Sequence, residues 1–295
     1  ETMVWDLPYN WEKTKIIPGL IGDFVWAAWD YLGEACVGDY TYGSYKGLPL
    51  LAGSGVIDIC GNITAECEFM RTVWGLRKKP YICVKPLNHA NETPFKSAWR
   101  FTDGISSWNW HGYEGTETNV EVYSSAYAVR LILNGKDMGT KKLKNYRAIF
   151  KIKYQTGTLT AVALDEKGRE ISQEIIKSGN TVKLTAKADK TVLVAGEEDL
   201  SFVNICFTDE YGNLVPYIEQ KVELELHGES ICLQGFGSAL AKTDEVFDKP
   251  VHNSFRGFCL AAIRPGNIAG DAKLIIKSTG FDPVTIEYKT LQSRN

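Results

Sequence analysis

The spacing of hydrophobic residues divides the chain into three regions. In the first region, an apolar run at residues 20–26 predicts a buried strand, and residues 11–17 predict the end of a helix. Residues 64–74 predict a second helix that begins at Asn62 or Thr64 and stops at Gly75. A strand, a long loop rich in Gly and Tyr, and a helix follow one another in this order, which is typical of one repeat of a (β/α)8 barrel.

From residue 80 onward, apolar and polar residues alternate with a period of two. Residues 119–123 and 129–133 show this alternation, and Asn134-Gly135 is a strong signal for a two-residue hairpin turn. About seven short strands predict an immunoglobulin-like β-sandwich over residues 80–179. The same pattern over residues 180–295 predicts a second immunoglobulin-like sandwich.

The predicted fold class is therefore mainly β, with two immunoglobulin-like sandwiches preceded by the last strand and helix of a TIM (β/α)8 barrel. The expected domains are residues 1–79 for the barrel remnant, 80–179 for the first sandwich and 180–295 for the second. With 44% hydrophobic and 23% charged residues, the 295-residue chain has the composition of a globular protein that can form several cores.

Charge and cysteine content exclude several classes of function. The net charge is only -3 and the basic residues are scattered, so neither nucleic acid nor an anionic membrane surface is an expected partner. The longest apolar stretches are much shorter than the roughly 20 residues of a membrane-spanning helix. Seven cysteines without a CxxC pair support neither a disulfide framework nor a zinc site, and no metal or cofactor is predicted.

The most specific motif is the run Gly-Asp-Phe-Val-Trp-Ala-Ala-Trp-Asp-Tyr-Leu-Gly-Glu at residues 22–34. It resembles the eighth barrel strand of glycoside hydrolase family 2, in which an FVW-x-x-x-D pattern leads to the rim of the active site. Residues 108–115 with 129–135, and residues 199–203 with 209–216, are similar to the two sandwiches that follow the barrel in bacterial members of the β-galactosidase type. The resemblance covers nearly the whole chain in the expected order.

The resemblance implies a small set of site residues. Trp26 corresponds to the tryptophan on which the apolar face of a sugar ring packs, although a core position is the usual place for a strand tryptophan. Asp30 matches the Asp of the motif and is interpreted either as a substrate or rim contact or as a structural cap. Glu1-Thr2, with Trp11 ten residues later, matches the motif of the catalytic nucleophile, so Glu1 is the candidate nucleophile. The alternative is that Glu1 is only a boundary residue.

The implied function is that of the C-terminal portion of a retaining β-glycosidase that hydrolyses terminal β-linked sugars in carbohydrate catabolism. Such enzymes need two carboxylic acids. The only Asn-Glu pair that could supply the acid/base, Asn91-Glu92, falls in the first predicted sandwich, so this chain alone is expected to be inactive. The expected partner is a β-linked oligosaccharide or glycoside, and Ala27 replaces an Asp of many β-galactosidases. The compartment is left open, with a bacterial cytoplasm favoured over secretion.

An alternative function is a non-catalytic carbohydrate-binding or adhesion module built from the sandwiches. It requires an exposed aromatic platform, for which Trp108, Trp110, His111 and Tyr113 are candidates, although packing between domains is favoured for them. A separate expectation concerns the barrel strand. Without barrel neighbours, apolar residues such as Phe24, Val25 and Trp26 should dock elsewhere or drive self-association into a homo-oligomer.

Overall fold

The computed structural model describes residues 2–35 and 37–293, and the chain divides into two compact units. The first unit comprises Glu1–Ser178 with the short segment Ala241–Thr243, and the second comprises Gly179–Leu240 with Asp244–Asn295. The boundaries of the three predicted domains stay a prediction.

Two α-helices lie in the first unit, α1 at Leu7–Ile16 and α2 at Ala65–Val73, and 3-10 turns occupy Val4–Asp6 and Leu87–His89. The predicted second helix is confirmed. Thr64 is its N-cap and accepts a hydrogen bond from the Cys67 backbone N–H at 3.4 Å, and Gly75 follows with a φ of +73°. Within the described ranges, no helix has the length and apolar character needed to cross a membrane.

Among the described residues up to Ser178, twelve strands follow one another in chain order. They are β1 Tyr31–Leu32, β2 Tyr40–Thr41, β3 Leu48–Pro49, β4 Leu51–Ala52, β5 Tyr81–Val84, β6 Phe95–Lys96, β7 Glu117–Tyr123, β8 Ala128–Leu133, β9 Lys136–Lys142, β10 Arg147–Lys153, β11 Thr158–Leu164 and β12 Glu170–Lys177. The sheet orders β10-β7-β5 and β12-β11-β8-β9 form the two faces of a seven-stranded sandwich. The short pair β1-β4 precedes it in the chain, and a second short pair joins β2 to β6, which lies between β5 and β7.

Turn chemistry and alternation explain the first sandwich. Asn134 and Gly135 take φ values of 50° and 79°, which is the backbone of a type I′ turn, and they join β8 to β9 with Leu133 opposite Lys136. Alternate residues of strand β10 are buried, namely Ala148, Phe150 and Ile152. The predicted hairpin and the predicted sandwich are confirmed.

The second unit holds a second sandwich. The strands after residue 178 are β13 Lys183–Ala188, β14 Val192–Val194, β15 Ser201–Thr208, β16 Lys221–His227, β17 Ile231–Gly237, β18 Lys242–Thr243, β19 Val251–Asn253, β20 Phe258–Pro265, β21 Gly270–Ser278 and β22 Val284–Leu291. The sheet orders are β13-β15-β20-β17 and β14-β22-β21-β16-β19, while β18 belongs to the first unit and pairs with β3. Apolar residues of both sheets form one core that includes Phe207, Phe236 and Leu274.

The predicted buried strand at residues 20–26 is not formed as a regular strand. Val25 makes one isolated parallel bridge with Thr2, through hydrogen bonds from Thr2 N–H to the Phe24 carbonyl at 2.8 Å and from Trp26 N–H to the Thr2 carbonyl at 3.3 Å. A central strand of a parallel sheet pairs on both sides over its whole length, and the described residues supply only this one partner. The barrel portion of the fold therefore stays a prediction.

Large apolar side chains of this segment face solvent. We name Leu20, Ile21 and Phe24 the apolar strip, and Ile21 and Phe24 are 100% and 87% exposed. Contiguous exposed apolar surface of this kind marks an interaction site.

The double variant in which Ser replaces both Ile21 and Phe24 is expected to bind less ANS and to self-associate less, each by on the order of twofold. The reason is that both apolar side chains are exposed to solvent. ANS fluorescence and sedimentation velocity measure the two effects. Ile268→Ser, which removes an exposed apolar residue of the second unit, is the control. Equal behaviour of the double variant and the control would contradict the prediction.

Candidate functional site

Trp26 lies on an irregular loop at the surface of the first unit. Its indole is 43% exposed and meets the Tyr31 ring edge-on, with centroids 6.1 Å apart. The loop is held by backbone hydrogen bonds from Ala27 N–H to the Ser54 carbonyl at 3.1 Å and from Val56 N–H to the Ala27 carbonyl at 3.0 Å. The peptide bond between Trp26 and Ala27 is cis. Trp26 is therefore an accessible aromatic side chain on a loop that is fixed at its base.

An open depression of about 510 Å³ lies beside Trp26, and we call it the tryptophan depression. Its lining residues are Trp26, Glu34, Ala35, Val37 and Trp99. Glu34 accepts a hydrogen bond from the Tyr31 hydroxyl. Two indoles, an aliphatic side chain and one carboxylate thus face a common space.

Asp30 is buried behind the loop, and its described contacts are internal. Its Oδ1 accepts a hydrogen bond from the Gly55 backbone N–H at 2.8 Å and an ion-pair contact from Arg100 at 3.3 Å. The Gly55 backbone approaches so closely that a Cβ there would lie 2.1 Å from the Asp30 nitrogen, so only glycine fits. Asp30 thereby ties the Trp26 loop to the loop at residues 53–57.

Arg100 is the centre of a buried group of charges that we call the Arg100 cluster, which consists of Arg100, Asp30, Glu66 and the Gly53 carbonyl. The Arg100 guanidinium donates to the Gly53 carbonyl and lies 3.5 Å from a Glu66 carboxylate oxygen. Glu66, in α2, is fully buried and accepts hydrogen bonds from the backbone N–H groups of Phe101 at 2.7 Å and Thr102 at 3.3 Å. One cation therefore links the Trp26 loop, the loop at residue 53 and helix α2.

Burial changes the acidity of both carboxyl groups. It raises the pKa of Asp30 to about 6, an effect that Arg100 and the Gly55 N–H oppose and that the charges of Asp58 and Glu66 reinforce. Burial also raises the pKa of Glu66, again against the opposing charge of Arg100. Burial therefore favours the neutral, protonated form of both Asp30 and Glu66.

The stability of the first unit should therefore fall as the pH rises through the folded pKa of Asp30. The folded pKa of about 6 exceeds the model-peptide value of 3.8, so the stability that the protonated group contributes is fully present below pH 3.8 and lost above pH 6. Relative to Asp30→Asn, the wild type should lose about 2–3 kcal/mol between pH 4 and pH 7. Urea unfolding followed by tryptophan fluorescence measures this difference.

Asp137→Asn, which changes an exposed carboxylate in the β8–β9 hairpin region, is the matched control and should leave the pH profile unchanged. A difference between wild type and Asp30→Asn that stays constant over this pH range would show that Asp30 does not titrate there.

The other predicted site residues are placed as follows. Glu1, the candidate nucleophile, lies outside the described residues. Glu92 accepts hydrogen bonds from the Ser44 backbone N–H at 3.2 Å and from the His89 ring, which lowers the pKa of Glu92, whereas a general acid needs a raised one. Among the described residues, no group of three His, Cys, Asp or Glu side chains could hold a metal ion.

Trp108 and Trp110 do not form an exposed platform. Both are fully buried, and the Trp108 indole donates to the Gln155 carbonyl at 2.9 Å and meets Tyr154 edge-on at 4.9 Å. The Tyr154 hydroxyl accepts a hydrogen bond from the Trp110 backbone N–H at 3.1 Å and donates one to the Trp108 carbonyl at 3.2 Å. These tryptophans belong to the core of the first unit.

Sequence reasoning missed Arg100, Glu66 and Trp99. Arg100 and Asp30 are 70 residues apart, and no spacing rule joins an arginine in an irregular segment to a motif so far away. The nearest available signal was the Glu at position 66 on the apolar face of α2, because a carboxylate there needs a buried cation.

Comparison with known proteins gives matches in both units. Residues 184–287 match the family model of glycoside hydrolase family 2 C-terminal domain 5, and residues 115–172 match a domain of unknown function, DUF4982. The β-galactosidase BoGH2A of Bacteroides ovatus is 27% identical over 265 residues, which are 88% of this chain and 27% of that protein. A β-glucuronidase of Formosa agariphila is 22% identical over 193 residues, which are 63% of this chain and 19% of that protein.

Solved structures agree with these matches. The crystal structure of a glycosyl hydrolase family 2 member from Bacteroides cellulosilyticus superposes with a TM-score of 0.83 at 26% identity, over 98% of this chain and 38% of that one. This chain spans between about a fifth and about a quarter of the length of the curated relatives it matches. The family-model match, the curated relatives and the solved structures together support a C-terminal fragment of a glycoside hydrolase family 2 protein as what this chain resembles.

Proposed function

We propose that this chain is the C-terminal portion of a retaining β-glycosidase of the β-galactosidase type and supplies part of its active-site rim. The observation that carries the proposal is Trp26, an exposed indole on a loop that the Arg100 cluster fixes from behind. An accessible aromatic face on a fixed loop suits the apolar C–H face of a pyranose ring. The names of the matched relatives, a β-galactosidase and a β-glucuronidase, support a β-linked glycoside as the substrate.

In this proposal, residues 1–79 complete a (β/α)8 barrel together with sequence that lies upstream in the relatives. The apolar strip would then be covered by neighbouring barrel strands, which agrees with its exposure here. Residues 80–179 and 180–295 would be the sandwiches that follow the barrel. The tight packing of α2 residues Phe69 and Met70 with Cys83 and Tyr123 of the first sandwich supports a structural role for that sandwich beneath the barrel.

The proposed mechanism assigns different tasks to the residues. A retaining glycosidase uses two carboxyl groups about 5–5.5 Å apart, one as nucleophile and one as acid/base. Glu1 is proposed as the nucleophile, and upstream sequence would supply the acid/base. Trp26 would hold the sugar ring, while Asp30, which is buried and bonded to Gly55 and Arg100, would position the Trp26 loop. The chain alone would have no activity, because one carboxylate cannot perform both steps.

The test compares this chain with a form extended upstream to the length of its relatives. Both are assayed with aryl β-galactoside, β-glucuronide and β-mannoside. We expect hydrolysis only by the extended form, and we expect Glu1→Gln to abolish it. Hydrolysis by the short chain, or full activity of the extended Glu1→Gln variant, would contradict the assignment of the catalytic residues. An extended form that cleaves none of the three glycosides would contradict the proposed function.

A further inference from the structure

One edge of the first sandwich carries an excess of positive charge that has no role in the function proposed above. Residues 136–153, which form β9, β10 and the turn between them, contain one acidic residue, Asp137, and seven basic residues. The whole chain has a net charge of -3, so positive charge is concentrated in this short stretch. The seven basic residues are Lys136, Lys141, Lys142, Lys144, Arg147, Lys151 and Lys153.

The fold brings the basic side chains of two different sheets together. Strand β9 is the last strand of the order β12-β11-β8-β9, and β10 is the first of the order β10-β7-β5. The Lys141 ammonium group donates a hydrogen bond to the Ile149 carbonyl of β10 at 2.7 Å. The two edge strands therefore lie side by side, and their lysines share one edge of the sandwich.

Two of the seven positive charges are compensated by carboxylates. Arg147 pairs with Glu121 at 2.7 Å, and Lys151 pairs with Glu117 at 2.6 Å. Within the described part of the chain, the other five form no ion pair with a carboxylate, and all five are exposed. We call these five residues the lysine edge, and they are Lys136, Lys141, Lys142, Lys144 and Lys153.

An exposed aromatic ring lies beside the lysine edge. The Lys142 ammonium group is 4.9 Å from the centroid of the Tyr127 ring, and Tyr127 is 41% exposed. The Tyr127 backbone is held on both sides, by its N–H donating to the Leu164 carbonyl at 3.1 Å and by its carbonyl accepting from the Leu143 N–H at 3.2 Å. A sugar ring can pack on a fixed aromatic ring while its acidic group meets the neighbouring ammonium.

Lysines on an edge strand also discourage pairing with the strand of another molecule. That role accounts for the lysines of β9. It does not account for Lys144, which lies in the turn after β9, or for Lys153, which belongs to the other sheet. Nor does it account for the exposed Tyr127 ring beside Lys142. The arrangement is therefore more than protection of one strand.

The lysine edge is long, which favours an extended ligand. Lys136 and Lys142 lie at the two ends of β9, about 20 Å apart along a strand that rises about 3.4 Å per residue. The three lysines of β9 are thus spaced more widely than the charges of duplex DNA, which follow one another every roughly 1.7 Å. A polymer with more widely spaced acidic groups matches this edge better than a nucleic acid does.

We propose that the lysine edge and Tyr127 bind an acidic polysaccharide, that is, a chain of sugars with carboxylate or sulfate groups. The choice of a polysaccharide rests on the function proposed above, because that function places the chain in an enzyme that acts on glycosides. Binding releases the counterions of the acidic polymer, so it weakens steeply as the salt concentration rises. Tyr127 adds a contact with a sugar ring that does not depend on salt.

The experiment measures binding by this chain itself. Polygalacturonate, dextran sulfate, neutral dextran and duplex DNA are immobilised, and biolayer interferometry gives Kd at about 50 and about 200 mM NaCl. We expect at least one of the two acidic polysaccharides to bind and neutral dextran not to bind. The Kd of the acidic polysaccharide should rise about tenfold or more between the two salt concentrations. Comparison of polygalacturonate with dextran sulfate shows whether carboxylate or sulfate groups are preferred.

The variant that tests the lysine edge combines Lys136→Gln, Lys142→Gln and Lys144→Gln. It should weaken binding of the acidic polysaccharide by about tenfold or more at low salt, because three of the five ammonium groups are lost. Lys141 is kept, since its ammonium group joins β9 to β10. All three substituted side chains are exposed, so the fold should not change.

The matched control combines Lys183→Gln, Lys187→Gln and Lys289→Gln, which remove the same charge from exposed lysines of the second unit. It should change Kd less than about twofold. Tyr127→Ala should weaken binding of the polysaccharide by about threefold and leave any binding of duplex DNA unchanged, because the ring contacts a sugar face.

Several results would overturn the inference. Equal losses in the two triple variants would show an effect of net charge alone. Failure of both acidic polysaccharides to bind would remove the site, and binding of neutral dextran that the lysine variant retains would remove the role of charge. Duplex DNA that binds more tightly than both acidic polysaccharides would make the assigned partner wrong.

The outcome is separable from that of the proposed function, because binding is measured without hydrolysis. Hydrolysis of glycosides by the extended form, combined with no binding of either acidic polysaccharide, contradicts the inference alone. An extended form that cleaves no glycoside, combined with binding that the lysine variant loses and the control keeps, contradicts the proposed function and supports the inference.

Discussion

Replacing Arg100 with Ala is expected to destabilise the first unit by about 3–5 kcal/mol, the usual cost of removing one partner from a buried ion pair. The substitution leaves the Asp30 and Glu66 carboxylates without their shared cation, and the side chains of these two residues are only 6% and 0% exposed. The Gly53 carbonyl loses its donor at the same time. Urea unfolding at pH 7 measures the change in the free energy of unfolding.

Tryptophan fluorescence is a selective probe for this measurement. All eight tryptophans lie in the first unit, so their emission follows the unfolding of that unit without a signal from the second. The residues are Trp5, Trp11, Trp26, Trp29, Trp74, Trp99, Trp108 and Trp110.

Two further substitutions serve as comparisons. Arg169→Ala breaks an exposed ion pair with Asp165, of 2.7 Å, and should cost less than about 1 kcal/mol. Arg100→Lys should recover only part of the loss, because one ammonium group cannot reach the three acceptors that the planar guanidinium serves. If Arg100→Ala costs no more than Arg169→Ala, the Arg100 cluster does not stabilise the fold.

The second large effect is expected for Trp108→Ala, at about 3–5 kcal/mol. The substitution empties a fully buried space next to Tyr154 and removes the indole donor to the Gln155 carbonyl. The same unfolding experiment applies, with Trp74→Ala as the control because Trp74 is 37% exposed. The control should lose clearly less stability.

The outcome of this substitution also bears on the alternative function as a carbohydrate-binding module. A tryptophan that serves as a surface platform for glycan can be removed with little loss of stability, whereas a core tryptophan cannot. If Trp108→Ala kept the stability of the wild type and lost glycan binding, the core assignment would be wrong and the module would regain support.

Features that depend on neighbouring residues were predicted well from the sequence. Thr64 and Gly75 mark the ends of helix α2 because capping is a local hydrogen-bonding effect. Asn134-Gly135 predicts its hairpin because these two residues adopt positive φ at little cost. Alternation over seven strands likewise predicts a sandwich, since each strand has one buried and one exposed face.

Features that depend on residues far apart in the sequence were not predicted. The apolar run at residues 20–26 reads as a buried strand, but burial of a strand is decided by the strands beside it, and Phe24 is exposed here. The link between Asp30 and Arg100 follows from the three-dimensional path of the chain and not from any pattern within a window. Trp26 and Asp30 were identified by family resemblance, and their roles remain predictions for the experiments above.

The last strand of the second unit gives that unit a particular response to mechanical load. Strand β22 runs parallel to β14, with backbone hydrogen bonds from Lys289 N–H to the Thr191 carbonyl and from Ala195 N–H to the Leu291 carbonyl, both of 2.9 Å. Tension between the two ends of the unit acts on β13 and then on β14 from their starts, and on β22 from its end. Once the tension reaches β14, its hydrogen bonds to β22 are sheared together instead of being opened one after another. This short parallel contact should therefore resist stretching of the unit along the chain.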